Sequence, residues 1–326
     1  MKKLVLFMTA ALAFSLTAKA QTSQVATLSN GENITTYYSG TALKDAYNAA
    51  KDGDIITLSS GTFTATDIKK NVIIRGAGMM VDDNPTIING DFEIYCEAND
   101  DASLTLEGVY VNGKTKISKA TNPRIIKCFF KKFALNNANN VTVLHCDIRT
   151  MEFGSYSEKP TGNFIGCYLA EINYGQNISS MSFTNCRFWF GGGGNDIGYL
   201  YNSTLKNCII AEDATKGASS YINSSTVATY CYYVGPATDP FKNILSTTNK
   251  QFGTDTNITK EGSVTYELPD ELATTWLGDD GTQVGMHGGF IPFDPTPTNP
   301  QITKFNVASK TTADGKLSVD IEVKAN

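Results

Sequence analysis

The chain has 326 residues, of which 18% are charged and 41% hydrophobic, and its formal net charge is −5. Its 28 glycines, 17 phenylalanines and 15 tyrosines favour strands and turns over amphipathic helices, which need more Glu, Lys and Leu. Seven cysteines are too few for a disulfide scaffold of this length, and two histidines leave little for a zinc site. The negative charge argues against nucleic acid as a partner.

The first twenty residues predict a secretory signal peptide that is not part of the fold. Two lysines precede an apolar run at 4–16, and the residues Ala-Lys-Ala at 18–20 supply the small-x-small cleavage pattern. A transmembrane anchor is the alternative, but it needs about 20 apolar residues, and no later segment could span a bilayer. We therefore expect an exported protein, periplasmic or extracellular, with 21–40 as its lead-in segment.

Residues 41–63 predict a short helix followed by a strand. Leu43, Ala46, Tyr47 and Ala50 follow helical spacing, and Asp52-Gly53 ends the pattern before an apolar strand at 55–58. A helix in this place would cover the open end of a repeat array, whose apolar cross-section and unpaired strand edge would otherwise meet water.

Six of the seven cysteines recur in one local pattern, in which apolar or aromatic residues flank the thiol. They are Cys128, Cys146, Cys167, Cys186, Cys208 and Cys231. Their separations of 18, 21, 19, 22 and 23 residues are typical of a solenoid, and the segments are too short and too β-branched for a helical one. The sequence therefore predicts a parallel β-helix, and a mean repeat of about 20.6 residues gives 41–290 roughly twelve coils.

Alternation around Cys146 predicts which side chains point inward. The buried set is Leu144, Cys146 and Ile148, and the outward set is His145, Asp147 and Arg149. Stacked coils place the cysteines about 4.8 Å apart in a column, which does not suit disulfide geometry. We expect buried free thiols; a string of metal ions is the alternative, and no CxxC pair or cluster of histidines supports it.

The first coils carry a resemblance to a known group of proteins. The helix is followed by a Gly-Asp-x-Ile-x-Leu strand, and then by NVIIRGAG at 71–78, PTIING at 85–90 and LTLEGVYVNG at 104–113. These segments resemble the opening of right-handed β-helix proteins of the pectate-lyase-like superfamily, over roughly residues 41–290. The resemblance implies an all-β fold: a single-stranded right-handed parallel β-helix (solenoid) with an N-terminal capping helix and a short C-terminal β-hairpin.

The solenoid is expected to end near 284–293, where four prolines begin a linker or rigid cap. Alternating apolar residues around Asp314-Gly315 then predict a β-hairpin within 291–326. About 25 residues are too few for an independent domain, so this hairpin should pack on the solenoid end or serve as a docking element. The tail resembles that of exported β-helix proteins of Bacteroidetes-type bacteria.

The outward residues of the cysteine strands predict a basic and aromatic stripe. The candidate ligand-binding residues are Lys127, Lys131, Arg149, Tyr168, Arg187, Trp189 and Tyr232. Aromatic rings stack on sugars and guanidinium groups pair with carboxylate or sulfate, so the stripe suits an acidic polysaccharide or cell-surface glycan. The alternative is that outward strand positions simply prefer aromatic and β-branched residues.

A catalytic role is implied by the resemblance alone. Lyases of that superfamily remove a proton beside a uronic carboxylate with an Arg or Lys base and a calcium ion, and the candidates here are Arg149, Arg187 and Lys131. His145 is a weaker candidate, because Asp147 does not orient its ring and no serine completes a triad. Calcium would bind near the adjacent acids at 82–83 or 100–101, although paired acids in loops are mostly only solvated.

Two functions of different class follow. The first is an exported β-helix that binds glycan without catalysis and needs no cofactor or metal. The second is a polysaccharide lyase that cleaves a uronic acid polymer by β-elimination, with calcium. The scarcity of outward aspartates disfavours hydrolysis. The sequence leaves open whether the protein is an enzyme, which glycan it binds and what its oligomeric state is.

Overall fold

A computed structural model describes most of the chain beyond the predicted signal peptide. The described residues are 24–31, 33–80, 84–96, 104–154, 159–190, 200–212, 225–234, 250–252, 267–307, 311, 314–316 and 318–324. The predicted signal peptide at 1–20 lies outside them, as do the adjacent acids at 82–83 and 100–101.

The secondary structure of the described residues consists of short strands, two α-helices and a single 3-10 turn at Gly175–Asn177. In chain order they are β1 Val25–Ser29, β2 Ile34–Tyr38, α1 Ala42–Ala49, β3 Ile55–Leu58, β4 Gly61–Thr64, β5 Ile73–Arg75, β6 Thr86–Asn89, β7 Phe92–Tyr95, β8 Thr105–Glu107, β9 Val109–Ser118, β10 Arg124–Ile126, β11 Phe129–Asn136, β12 Val141–Leu144, β13 Asp147–Phe153, β14 Thr161–Ile165, β15 Tyr168–Asn173, β16 Ser180–Thr184, β17 Arg187–Phe190, β18 Ser203–Lys206, β19 Ile209–Glu212, β20 Val227–Thr229, β21 Tyr232–Val234, β22 Lys250–Phe252, α2 Asp270–Ala273, β23 Gln301–Val307 and β24 Val319–Lys324.

Two sheets wind around one core, and each turn of the chain contributes a strand to both. The first sheet has the order β2-β1-β3-β5-β8-β10-β12-β14-β16-β18-β20, and the second runs from β4 and β6 through β9 to β22. From β3 onward the neighbouring strands are parallel, as in the pairing of Val143 with Phe164 and of Phe164 with Phe183. The predicted all-β parallel solenoid is thereby confirmed.

The described part of the solenoid has about seven turns, whereas roughly twelve coils were predicted for 41–290; residues 235–249 and 253–266 of that range lie outside the described residues. One reason lies in the early coils, where the path from β5 to β8 takes in the extra strands β6 and β7. The other lies at the far end, because the residues from 276 onward leave the coil and return along its side.

In the six repeats with a cysteine, the chain changes sheets at a tight corner immediately before that cysteine, and Gly108 forms the equivalent corner before Val109. The corner residue has a positive φ between 51° and 65° in seven successive turns, in the left-handed region that Asn and Gly tolerate best. We call these residues the corner column: Gly108, Lys127, His145, Gly166, Asn185, Asn207 and Tyr230. The corner directs the chain from the first sheet into the second, so the segment around each cysteine is two strands and not one.

The predicted inward set around Cys146 is therefore wrong in one member. Cys146 and Ile148 are fully buried, but Leu144 is half-buried on the outer side, and Val143 takes the inward place. The left-handed residue His145 interrupts the alternation, because period two holds only along a continuous extended strand.

All seven cysteines are buried free thiols, as predicted. In the six repeated positions the thiol donates to the carbonyl two residues earlier, at S···O distances of 3.2–3.4 Å. That carbonyl belongs to the last residue before the corner, where the chain leaves the first sheet. The cysteine side chain thus fills the core and also gives the corner a weak hydrogen bond, which alanine or valine could not do.

Both termini of the described chain carry antiparallel hairpins. The predicted capping helix is present as α1, with Leu43, Ala46 and Tyr47 buried. The hairpin of β1 and β2, which was not predicted, adds two antiparallel strands to the edge of β3. At the other end β23 pairs with β24 around Gly315, which confirms the predicted C-terminal hairpin.

Burial predicts that the native thiols are chemically silent. It raises the pKa of Cys96 to about 12 and raises the pKa of Cys146, Cys186 and Cys231 above the ordinary value, and only the thiolate reacts with a thiol reagent. Burial alone would also raise the pKa of Cys167 and Cys208, but hydrogen bonds from the neighbouring thiols lower it; these two side chains are protected because they are 0% exposed, so a reagent cannot reach them. We expect no reaction of the native protein with a thiol reagent and reaction of all seven cysteines in denaturant. Rapid labelling without denaturant, or fewer than seven thiols after unfolding without reductant, would contradict this structure.

Candidate functional site

Residues 276–299, which we call the strap, run back along the side of the solenoid over the corner column. At one end Gly285 donates its N–H to the carbonyl of Asn207, 2.8 Å away. At the other end Asn299 donates to the carbonyl of Gly76 at 2.8 Å. The strap therefore crosses the turns in the reverse of their order in the sequence, from the later turns to the earlier ones.

The strap supplies partners for two buried charged groups on the early turns: an ion pair for Lys127, and hydrogen bonds for Glu107, whose charge is also paired with Arg75. Lys127, which is buried, binds the carboxylate of Asp294 at 2.9 Å and the carbonyl of Thr296 at 2.5 Å. Glu107, also buried, accepts hydrogen bonds from the backbone and the hydroxyl of Thr298. Buried charges are costly unless they are paired, so the strap is part of the folded structure and not a loose linker.

His145 ties the strap to the centre of the column. Its Nε2 lies 3.1 Å from the carbonyl oxygen of Ile291, and its Nδ1 accepts the N–H of Asp294 at 3.4 Å. These partners assign the neutral tautomer with the proton on Nε2, because a carbonyl can only accept. Burial is the main cause of a lowered pKa for His145, and the positive charge of Lys127 lowers it further.

Apolar contacts complete the seal between strap and second sheet. Trp276 packs on Tyr232 with ring centroids 5.1 Å apart, and Tyr232 donates its hydroxyl to the carbonyl of Leu277 at 3.3 Å. Further along, Met286 and Phe293 pack against Tyr168. The outer face of the second sheet next to the corner is consequently covered.

The predicted ligand-binding residues divide into two groups in this arrangement. Four of them are at most 8% exposed: Lys127, Tyr168, Arg187 and Tyr232. Lys131 is exposed, and Arg149 and Trp189 are half-buried. His145, the weak catalytic candidate, is 2% exposed and engaged with the strap.

The three accessible residues lie on one outward column of the second sheet, and we call this surface the Arg149 face. The strand register places Lys131 beside Arg149, with Ala170 between Arg149 and Trp189. At about 4.8 Å per rung, Arg149 and Trp189 are about 10 Å apart. Four rungs of the solenoid therefore present a cation pair and an indole ring in line.

The guanidinium of Arg149 is held in place from three sides. It binds both oxygens of Asp147, at 3.0 and 3.2 Å, and its Cζ lies 5.5 Å from the ring centre of Phe129 and 5.3 Å from that of Tyr168. Cation–π contacts and a carboxylate both favour the charged form. Arg149 is thus a fixed, permanently positive group with about a third of its side chain exposed.

A second feature of the strap is an open cavity of about 280 Å³ where it meets the first sheet. Its polar walls are Thr184, Asn185, Lys206, Asn207, Asp279 and Asp280, and its apolar walls are Ile165, Phe290 and Ile291. The ring of Phe290 is 96% exposed. We call this place the Phe290 cavity.

The sequence singled out no residue of this cavity. Asn185 and Asn207 directly precede two of the repeated cysteines, and Asp279, Asp280 and Phe290 follow the last repeated cysteine by many residues. They meet because the strap returns across the column, with Asp279 accepting from Asn207 at 2.9 Å and binding Lys206 at 2.7 Å. The available signal was the glycine-rich turn at 285–289, which allows the strap to lie against Asn185.

No metal centre is visible in the part of the chain that the structure describes. Within it, no three His, Cys, Asp or Glu side chains gather as metal ligands would, and the acids at 82–83 and 100–101 lie outside it. The expectation of a protein without a resident metal or cofactor stays a prediction.

Comparisons with known proteins provide no relative from which a function could be inferred, so the functional proposal rests on the geometry of the site. No protein-family model, curated protein or solved structure matches the chain. Among the described residues, none of the helices is long and apolar enough to cross a membrane.

The lowered pKa of His145 predicts that acid loosens the strap. The folded state prefers the neutral ring, so its stabilising contribution is complete above the ordinary pKa of 6.5 and is lost as the pH falls below it. Protonation of Nδ1 also removes the hydrogen bond from Asp294. We expect the midpoint temperature of thermal unfolding to decrease as the pH is lowered from 7 to 5.

A pair of variants tests this assignment. His145→Asn keeps a residue that tolerates the left-handed corner but does not titrate, so its unfolding midpoint should change less over the same pH range. The control is His287→Asn, which should keep the dependence of the native protein. An undiminished pH dependence in His145→Asn would show that other groups cause it.

Proposed function

We propose that the protein is an exported right-handed parallel β-helix protein that binds glycan, in particular an acidic polysaccharide, on the Arg149 face without catalysis. The observation that carries the proposal is the fixed guanidinium of Arg149, set beside Lys131 and two rungs from Trp189. A cation that is already ordered loses little conformational freedom when it binds a carboxylate or sulfate group.

The spacing of the face suits an extended polymer. Side chains recur every 4.8 Å or so along the solenoid axis, so an anionic chain lying along that axis would meet Lys131, Arg149 and Trp189 in succession. Lys114 and Lys132 lie near the same face, and both bind Glu152. An acidic protein thus concentrates positive charge where a polyanion could approach.

The contacts of Arg149 favour binding over the alternative function, that of a lyase. A general base must give up its proton before it can take one from the substrate, and Asp147 favours the protonated form of Arg149. The second candidate base, Arg187, is 4% exposed. Lys131 is the accessible candidate that remains, without a described partner that would place it for catalysis.

Affinity measurements on native protein and matched variants test the proposal. Pectate, alginate and heparin serve as probes in affinity electrophoresis or isothermal titration. For the polymer bound best, we expect Arg149→Ala and Lys131→Ala each to weaken binding by about tenfold, the loss of one good charge-assisted contact. Arg149→Lys should recover only part of the affinity, because lysine cannot form the planar fork.

The control is Arg124→Ala, which removes an exposed arginine from the outer face of the first sheet. It should leave binding unchanged. Because Arg149 also neutralises the buried Asp147, thermal unfolding must confirm that Arg149→Ala is folded, and Lys131→Ala provides the test that does not touch the core. Equal affinities of native protein, Lys131→Ala and Arg149→Ala would refute binding at this face.

Catalysis is tested on the same polymers. The absorbance of unsaturated products is followed with calcium and with chelator. Product formation that Lys131→Ala abolishes would establish the lyase alternative.

A further inference from the structure

Phe290 stands out because nothing in the described structure covers its ring. It is 96% exposed, whereas Phe293, three residues later, is packed against Tyr168 and Met286. An exposed phenylalanine ring does not contribute the favourable free energy that burial of its apolar surface would give. Phe290 is one of the residues that line a cavity whose other lining residues are mostly polar, so the exposed residue belongs to a defined local arrangement.

The backbone on both sides of Phe290 is fixed. Gly289 donates its N–H to the hydroxyl of Thr282 at 2.6 Å, and the carbonyl of Ile291 is held by His145 at 3.1 Å. A side chain on Gly289 would place its Cβ 2.9 Å from Oδ1 of Asn185, so the glycine permits this close approach. The ring is therefore presented from a preorganised turn.

The polar side of the Phe290 cavity is also ordered. Lys206 and Asp279 form an ion pair at 2.7 Å, and Asn207 exchanges two hydrogen bonds with Asp279. One carboxylate oxygen of Asp280 accepts from both the N–H and the hydroxyl of Thr282, which fixes the carboxylate while its second oxygen takes no part in these bonds. Thr184 and Asn185 add a hydroxyl and an amide.

We infer that the Phe290 cavity binds a single neutral sugar ring. A pyranose has a face of C–H groups that can stack on an aromatic ring and a rim of hydroxyls that both donate and accept. The cavity offers the matching pair: the ring of Phe290 and a rim of carboxylate, amide, hydroxyl and ammonium groups. Its volume of about 280 Å³ lies just below the range of pockets for drug-sized ligands, which limits the occupant to about one ring.

The charge of the cavity decides between neutral and acidic sugars. Lys206 and Asp279 cancel, which leaves Asp280 as an uncompensated negative group among the lining residues. A uronate or sulfated sugar would be repelled. This site is therefore distinct in both place and ligand chemistry from the Arg149 face, and it does not depend on the function proposed there.

Saturation-transfer NMR with free monosaccharides provides the test. The probes are glucose, galactose, mannose and N-acetylglucosamine, with galacturonate as the charged comparison. We expect at least one neutral sugar to bind, with the strongest transfer to its ring C–H protons and weaker or no transfer to galacturonate. Phe290→Ala should weaken that binding by tenfold or more, and Phe290→Trp should retain it.

Controls separate this site from other sources of binding. Tyr38→Ala removes an exposed aromatic ring from β2 and should change nothing, and Arg149→Ala should likewise leave the neutral sugar bound. Asp280→Ala should weaken it, because the fixed carboxylate is lost.

Three results would overturn the inference. They are the absence of binding by any neutral sugar at millimolar concentration, equal binding by native protein and Phe290→Ala, and self-association of the native protein that Phe290→Ala abolishes. The last would assign Phe290 to a contact between two copies of the chain. Loss of acidic-polymer binding in Lys131→Ala is a separate result that leaves this cavity unaffected.

Discussion

The left-handed corner that precedes each of the six repeated cysteines, and Val109 in the turn before them, is the constraint on which the rest of the structure depends. A chain that must pass from one sheet to the other within a residue or two needs a positive φ, and seven successive turns supply it at the same place. Where the residue is Asn or Gly the conformation costs little, but at Lys127, His145 and Tyr230 it costs more. The cysteine that follows is small enough to point inward from the bend, and its thiol bonds the carbonyl that the bend leaves behind. The core, the sheets and the line of corner residues are thus consequences of one repeated backbone conformation.

The strap follows from that line of corners. Without the strap, the column of corners would leave charged and polar side chains such as Lys127 and His145 on the surface. The strap supplies a carboxylate for Lys127 and a carbonyl acceptor for His145. Several residues whose chemistry suits ligand recognition therefore bind the protein's own chain. What remains for an external partner lies on either side of the strap: the Arg149 face on the second sheet, and the Phe290 cavity against the first sheet. The strap separates two surfaces of opposite electrostatic character.

The sequence was sufficient to predict the repeat and insufficient to predict the site. The recurring cysteine strands, the spacing of Leu43, Ala46 and Tyr47, and the Asp314-Gly315 turn are local patterns, and the solenoid, α1 and the C-terminal hairpin agree with them. The orientation of Leu144 was mistaken because alternation was carried through a corner that a single histidine conceals. The strap could not be predicted because its partners are up to 223 residues away in the chain, and no local pattern reports that Asp294 will lie beside Lys127. A separation of about 100 residues likewise keeps Phe290 and Asp280 out of any local pattern around Asn185.

The strap also changes how such a molecule comes apart and comes together. In a simple solenoid each repeat touches only its neighbours, so turns can add or fray one at a time from either end. Here a single segment grips the turns of Gly76, Lys127, His145 and Asn207 at once, which links distant turns into one cooperative unit. That segment leaves the ribosome after the turns that it contacts, since synthesis proceeds from the N-terminus. Until it arrives, the nascent turns carry a lysine and a glutamate without their final partners. The N-terminal turns can form early, but they are covered only after the strap has been synthesised.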